Sequence, residues 1–230
     1  TVIDFSLYVS FFPQLIAGPI VRTSEFIPQC QSPRDITFSH IGWGGALLVT
    51  GLFMKVVLAD AFLAPVVDKV YDNYLLSGSV DTLVGILGYS GQIYFDFAGY
   101  STCAIGVAMC FGFALPDNFR YPYSAIGFSD FWKRWHISLS KWLRDYLYIS
   151  IGGNKQGRKV EYRNLMLTML IAGLWHGASW MFVIWGGLHG LFLIIEHLVK
   201  RRFGRFFKAT PGTRFYFLIL TFILITLSWI

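Results

Sequence analysis

From Thr82 to Leu115 the chain carries one formally charged side chain, Asp96. A membrane-crossing helix needs about 20 apolar residues, so this run is either one long tilted helix or a span followed by a re-entrant piece. Within hydrocarbon every backbone N–H and C=O must be satisfied internally, which restricts spanning chains to helices and closed barrels. The run reads as helix. The whole sequence agrees: 55% of its residues are hydrophobic, 18% aromatic and only 14% charged, with a mean hydropathy of +0.54. Soluble domains carry about 25% charge.

Four further apolar stretches complete the pattern. Val2 to Val21 is interrupted by Asp4, Pro13, Gln14, Gly18 and Pro19 and reads as a broken or re-entrant helix, because proline removes a donor and clashes with the preceding turn. Ile41 to Val67 is long enough to span, with Lys55 and Asp60 inside it, either paired or solvated at a helix end. Tyr162 to Val199 is close to twice one span and reads as two shorter helices. Phe215 to Ile230 is a final apolar helix. Thr23 to Ser39 and Asp68 to Asp81 read as loops. Three scattered cysteines, Cys30, Cys103 and Cys110, give neither a disulfide framework nor a metal-ligand spacing, and no metal is expected. The expected architecture is all-α, a polytopic transmembrane bundle with broken helices. The chain opens on Thr1 and ends inside an apolar run. Residues 1–230 are therefore expected to be one transmembrane domain cut from a longer membrane protein.

The net charge of +6 does not point to nucleic acid, since the basic residues sit in loops between apolar runs. There they orient the chain and meet anionic lipid. Asp117 to Arg163 holds nine Lys or Arg against four Asp or Glu, and Lys200 to Lys208 holds five basic residues. The positive-inside rule assigns both segments, 117–163 and 200–208, to the cytoplasmic side. The segment between them must then form a hairpin with its far turn near Trp175 to Trp180.

That turn contains Gly173-Leu174-Trp175-His176-Gly177. A histidine at membrane depth faces a bundle interior or a wet cavity, and its ordinary pKa suits it to move protons near neutral pH. His176 is thus a candidate general base; a packing histidine bonded to a carbonyl is the alternative. Ser129 to Ser150 has helical periodicity. Phe128, Phe131, Trp132, Trp135, Leu139, Trp142, Leu143 and Tyr146 fall on one side, which predicts one amphipathic helix lying in the interface. His136 falls at the edge of its apolar face, either directed into the protein or simply interfacial.

The segments FSDFWKRWHISLSKWLRDYLYISIGGN (Phe128 to Asn154) and AGLWHGASWMFVIWGGLHG (Ala172 to Gly190) closely resemble the membrane-bound O-acyltransferase family, nearest its alginate O-acetyltransferase branch. FFPQLIAGPIVR (Phe11 to Arg22) and QIYFDFAGYSTCAIGVAMCFGFALPDNFRYPY (Gln92 to Tyr123) resemble the same branch. The resemblance implies tilted and broken helices around a chamber, an acyl donor arriving from the cytoplasm and a hydroxyl acceptor from the other face. The family's principal histidine falls on His176 and its second polar position on His136. The implied reaction transfers an acetyl group from acetyl-CoA or another thioester, with no bound cofactor, to a polysaccharide such as alginate. His176 accepts the hydroxyl proton and His136 orients the donor or bonds its carbonyl.

Around these two, Trp175 and Trp180 are candidates to wall the tunnel against water, or are lipid-facing belt residues. Asp96 is a candidate for a polar network that orients a histidine, or is a carboxylate bonded locally. Arg134 and Arg144 are candidates to draw the anionic donor, or are solvated interfacial charge. His189 is a weaker candidate, and His40 and His197 read as solvated. A periplasmic acetyltransferase is a candidate partner, membrane lipid surrounds the whole, and the bacterial inner membrane is the implied location. D-alanyl transfer to teichoic acid and peptidoglycan O-acetylation are the neighbouring alternatives. A proton-coupled transporter using His176 as a relay is the alternative of another class.

Overall fold

A computed structural model describes residues 1–15, 17–204 and 210–230. Among them it contains helices and turns and no strand. The chain forms two compact units, Thr1–Asn118 and Phe119–Ile230.

In the first unit, α1 (Val2–Ser10) is capped by Thr1 in a reciprocal arrangement with Asp4. It ends at Phe11, before a single 3-10 turn at Phe12–Gln14, so the prolines and glycine here do break the helix. The expected loop after it is instead a helix, α2 (Thr23–Gln31), with Pro28 inside it. Its reason is tertiary: Phe26 is completely buried among Phe11, Val21 and Ala108. Its ring lies 4.8 Å from that of Phe11 and stacks on Phe113 at 5.1 Å.

The main body is two long rods. α3 (Phe38–Leu52), a π-helical stretch (Phe53–Leu63) and α4 (Ala64–Asp72) form one continuous helix from Phe38 to Asp72. α5 (Ser79–Cys110) is a single unbroken helix of 32 residues, about 48 Å long at 1.5 Å per residue. The single-helix alternative for the Thr82 run is therefore the one adopted. The expected loop at 68–81 shrinks to the turn between α4 and α5, because α4 continues through Asp72. Small residues let the rods meet. A Cβ at Gly51 would strike the Gly99 carbonyl and Cys103, and one at Gly44 the Gly106 carbonyl and Cys110. Cys103 and Cys110 are thus packing residues at this crossing, both free thiols.

In the second unit, the predicted amphipathic helix does not exist as one piece. It is divided into α6 (Phe128–Trp132), α7 (Ile137–Leu143) and a π-helical turn (Arg144–Tyr148). The division falls at His136, whose φ of 43° and ψ of 54° are left-handed. Helical periodicity survived in the sequence because both pieces bury an apolar side: Phe131, Trp135, Leu139 and Leu143 are buried.

The predicted hairpin is present. α8 (Arg158–His176) ends at Gly177, and α9 (Trp180–Phe203) starts behind Ser179, whose hydroxyl accepts from the Met181 N–H. α10 (Pro211–Leu227) follows. Part of the basic segment 200–208, residues 205–208, lies outside the described residues. The helices α3–α4, α5 and α9 are long and apolar enough to cross a membrane.

α8 and α9 cross on glycines. A Cβ at Gly186 would strike the Met169 backbone carbonyl and approach the Gly173 Cα at 3.3 Å; one at Gly173 would strike the Phe182 carbonyl. Backbone cannot move aside as a flexible side chain can, so overpacking here costs about 1–3 kcal/mol. A Cβ at Gly187 would meet only the Leu170 Cδ2 at 3.5 Å, an ordinary contact. Gly186→Ala is expected to lower stability by about 1–3 kcal/mol, and the adjacent Gly187→Ala to be neutral or slightly stabilising through its better helix propensity. Thermal unfolding of the full-length protein in detergent checks the pair.

Candidate functional site

The second unit gathers histidines and aromatic rings near the tip of the α8–α9 hairpin. Three of the chain's histidines take part. His176 is the last residue of α8 and is exposed. His136 is 4% exposed, and His189, two turns into α9, is completely buried. Trp175 connects the first two. Its ring centroid lies 6.2 Å from that of His136 and 5.1 Å from that of His176. His176 also meets Trp185 edge-on at 5.4 Å and Phe182 at 6.1 Å.

His136 owes its place to the left-handed backbone. A non-glycine residue in that region is strained by about 1–3 kcal/mol and persists only where its surroundings over-determine it. The surroundings here are tight. Trp135 and Ile137 on either side are buried. The Trp135 N–H bonds the Phe131 carbonyl, and the His136 carbonyl accepts from the Ser140 N–H at 3.0 Å. The bend separates α6 from α7 and leaves the imidazole buried, near Trp175 of α8. Burial pushes the His136 imidazole down to about 3, with the nearby His176 adding to the effect, so at neutral pH it is uncharged.

Polar anchors fix these elements from the opposite end of the hairpin. Glu196 of α9 accepts from the Ser129 N–H at 2.8 Å, which satisfies an otherwise orphaned donor of the first turn of α6, and it also takes Lys200. Glu161 of α8, 5% exposed, takes Arg201 Nη2 at 2.6 Å and His197 Nδ1 at 3.2 Å. His197 is therefore partnered rather than solvated. Its carboxylate partner lies on the other strand of the hairpin, 36 residues away, which local sequence could not show. His40 is exposed and forms a cap with Thr37.

The remaining expected site residues are dispersed. Trp180 is 81% exposed at the first position of α9. Arg134 pairs with Asp130 one turn away, Nε to Oδ1 at 3.0 Å, and reaches Ser124. Arg144 pairs with the adjacent Asp145 at 2.6 Å. Each has a carboxylate partner of its own. Asp96 lies in the first unit and pairs with Lys55, which also holds Asp60 at 2.7 Å. That settles the pairing of Lys55 and Asp60 and adds a third member from α5. A pocket of about 360 Å³ in the first unit, lined by Pro28, Ser32, Arg34, Asp35 and His40 among others, contains none of the expected site residues.

Comparison with known proteins decides the family. The model of the membrane-bound O-acyltransferase (MBOAT) family matches residues 1–228. The chain belongs to the MBOAT family. Among its relatives, a peptidoglycan O-acetyltransferase of Helicobacter pylori is 43% identical over 99% of this chain and 43% of its own length. A probable alginate O-acetylase of Azotobacter vinelandii is likewise 43% identical, over 99% of this chain and 44% of its own. A teichoic acid D-alanyltransferase of Streptococcus thermophilus is 31% identical over 86% of this chain and 51% of its own. The chain spans less than half the length of the first two.

What sequence reading missed in this MBOAT chain is the indole set. Trp132, Trp185 and Trp229 come together around His189, with Trp185 and His189 spaced i, i+4 on α9. That spacing was visible, but Trp132 and Trp229 approach from other elements.

Protonation of His136 links the site to stability. The folded state holds it neutral, whereas an unfolded histidine takes a proton near 6.5. Its contribution is complete above about 6.5 and is lost as pH falls from there toward 3. His136→Asn is expected to remove this part of the acid lability. The difference in thermal midpoint between wild type and variant should change between pH 7 and pH 5 and stay constant above pH 7.

Proposed function

We propose that this chain is the histidine-bearing part of a membrane O-acyltransferase that moves an acetyl group from a thioester, acetyl-CoA or a relayed equivalent, to hydroxyls of an exported polysaccharide. The observation that carries the reading is the approach of both His136 and His176 to Trp175, in a chain of the MBOAT family. The two residues come from separate segments, and one is held by a strained backbone, as is common where geometry serves chemistry.

In this reading His176 is the general base. Its neutral ring accepts the proton of an acceptor hydroxyl as that oxygen attacks the thioester carbonyl. The C–S bond then breaks, and the thiolate takes the proton from the imidazolium and leaves as a thiol. His136, uncharged, positions the acyl group or bonds its carbonyl oxygen, where developing negative charge needs a donor. The exposure of His176 suits a base that must meet a polymer hydroxyl. Trp175 and Trp180 shield the thioester from water, and Arg134 and Arg144 attract the anionic donor.

The alginate and peptidoglycan relatives are equally similar to this chain. The acceptor class that fits both is a carbohydrate hydroxyl, with alginate the specific proposal. D-alanyl transfer is the second reading, supported by the 31% identical relative. The proposed setting is the bacterial cytoplasmic membrane, with 117–163 and 200–208 on the cytoplasmic side and a periplasmic acetyltransferase as partner.

General-base catalysis contributes about 10²–10⁴-fold. His176→Ala in the full-length protein is expected to lower acetyl transfer to a soluble uronate or N-acetylhexosamine oligosaccharide by at least about 10²-fold, with thioester binding retained. Undiminished turnover would overturn the assignment. Altered solute flux in vesicles with no turnover would favour a transporter instead.

A further inference from the structure

Among the described residues of the second unit, four buried side-chain atoms have no hydrogen-bond partner: Nδ1 of His189 and the indole nitrogens of Trp132, Trp185 and Trp229. They belong to one cluster. The ring centroids of Trp185, Trp132 and Trp229 lie 4.7, 5.3 and 6.3 Å from that of His189. Trp185 is 5.8 Å from Trp132 and 5.9 Å from Trp229. A buried polar group without a partner is costly, and here four are carried by neighbouring rings. Each of these atoms is shielded from solvent.

The hydrogen bonds fix what each atom offers. The Ser228 hydroxyl donates to the Ile225 carbonyl at 2.6 Å, which commits its only hydrogen. Its oxygen lies 3.0 Å from His189 Nε2 and so accepts, making His189 the Nε2–H tautomer with a bare lone pair on Nδ1. The three indoles can only donate. The cluster therefore offers donors and one acceptor, with no formal charge. A carbonyl, ester or anion could take the indole N–H groups but would leave Nδ1 unpaired. An ammonium would leave the indoles unpaired. A hydroxyl oxygen serves both kinds of group: its hydrogen goes to Nδ1, and its two lone pairs can accept from two of the three indoles.

We infer that His189, Trp132, Trp185 and Trp229 form a subsite for one hydroxyl oxygen, either of an enclosed water or of the acceptor alcohol. Trp185 has the imidazole of His189 beside it and meets His176 edge-on at 5.4 Å. The subsite is thus one ring removed from the proposed base. An oxygen held here fixes the indole of Trp185, and through it the His176 ring. The catalytic part of the inference rests on the proposed function; the subsite itself does not.

The test uses the full-length protein in nanodiscs. A structure resolving ordered solvent, determined without and with a uronate oligosaccharide, is expected to show an oxygen within hydrogen-bond distance of His189 Nδ1 and of at least one indole nitrogen. Density there in both structures assigns a water. A sugar hydroxyl appearing only with oligosaccharide assigns the acceptor. A dry cluster in both, or Nδ1 bonded to a protein donor, overturns the subsite whatever the enzyme's activity. Kinetics separate the two sources. Trp229→Phe, which keeps a ring and removes the N–H, and His189→Asn are expected to raise the acceptor KM at least tenfold with the thioester KM unchanged if the hydroxyl is the acceptor's. A bound water predicts a fall in kcat with both KM values unchanged. Absence of turnover by wild type with every acceptor would refute the proposed function while leaving the structural test intact.

Discussion

The second unit is organised by the close approach of α8 to α9. At Gly173 and Gly186 the two backbones come near enough that a single methyl group would strike a carbonyl. In lipid, where the surroundings are as apolar as the side chains, association depends on packing of this kind rather than on removal of apolar surface from water. The crossing lies one turn from the hairpin's tip. It fixes where His176 ends α8, and it sets Trp185, adjacent to Gly186, against that histidine. The anchors at the other end, Glu161 and Glu196, hold the hairpin and the start of α6 in one arrangement.

His136 shows how a short polar segment is brought to the same place. A continuous amphipathic helix would spread its histidine, tryptophans and cations around one cylinder. The left-handed bend replaces that cylinder with two short helices and leaves the imidazole buried near Trp175 of α8. The same bend lets Trp132, from the first helix, reach His189, while the Trp135 ring, one residue before the bend, lies 5.0 Å from that of Trp229 near the end of α10. Strain in the backbone, aromatic packing and placement of polar nitrogens are one arrangement.

Much of this could be read from the residues. Apolar runs longer than one span pointed to the long helices, and the near-double length of the 162–199 run pointed to the hairpin. The break at Pro13 and the turn after His176 fell where proline and glycine chemistry places them. The failures share a cause. α2 looked like a loop because Ser, Pro and Gln dominate it locally, yet Phe26 enters a core built from α1 and α5. The bend at His136 was hidden because both pieces on either side keep a helical period. His197 read as solvated, and Asp96 as orienting a histidine or bonded locally, because their partners, Glu161 and Lys55, lie on other helices. Periodicity reports burial of a face; it does not report which distant side chain arrives there.

In the proposed reaction the exposed imidazole at the end of α8 receives a proton from an acceptor alcohol. The most direct measurement is the distance from the His176 ring to the reacting hydroxyl in a complex of the full-length protein with an acceptor oligosaccharide and an unreactive thioester analogue. A ring nitrogen is expected about 2.6–3.2 Å from that hydroxyl, with the thioester carbonyl on the hydroxyl's other side. A His176 ring turned to the lipid, with the acceptor bound elsewhere, would contradict it.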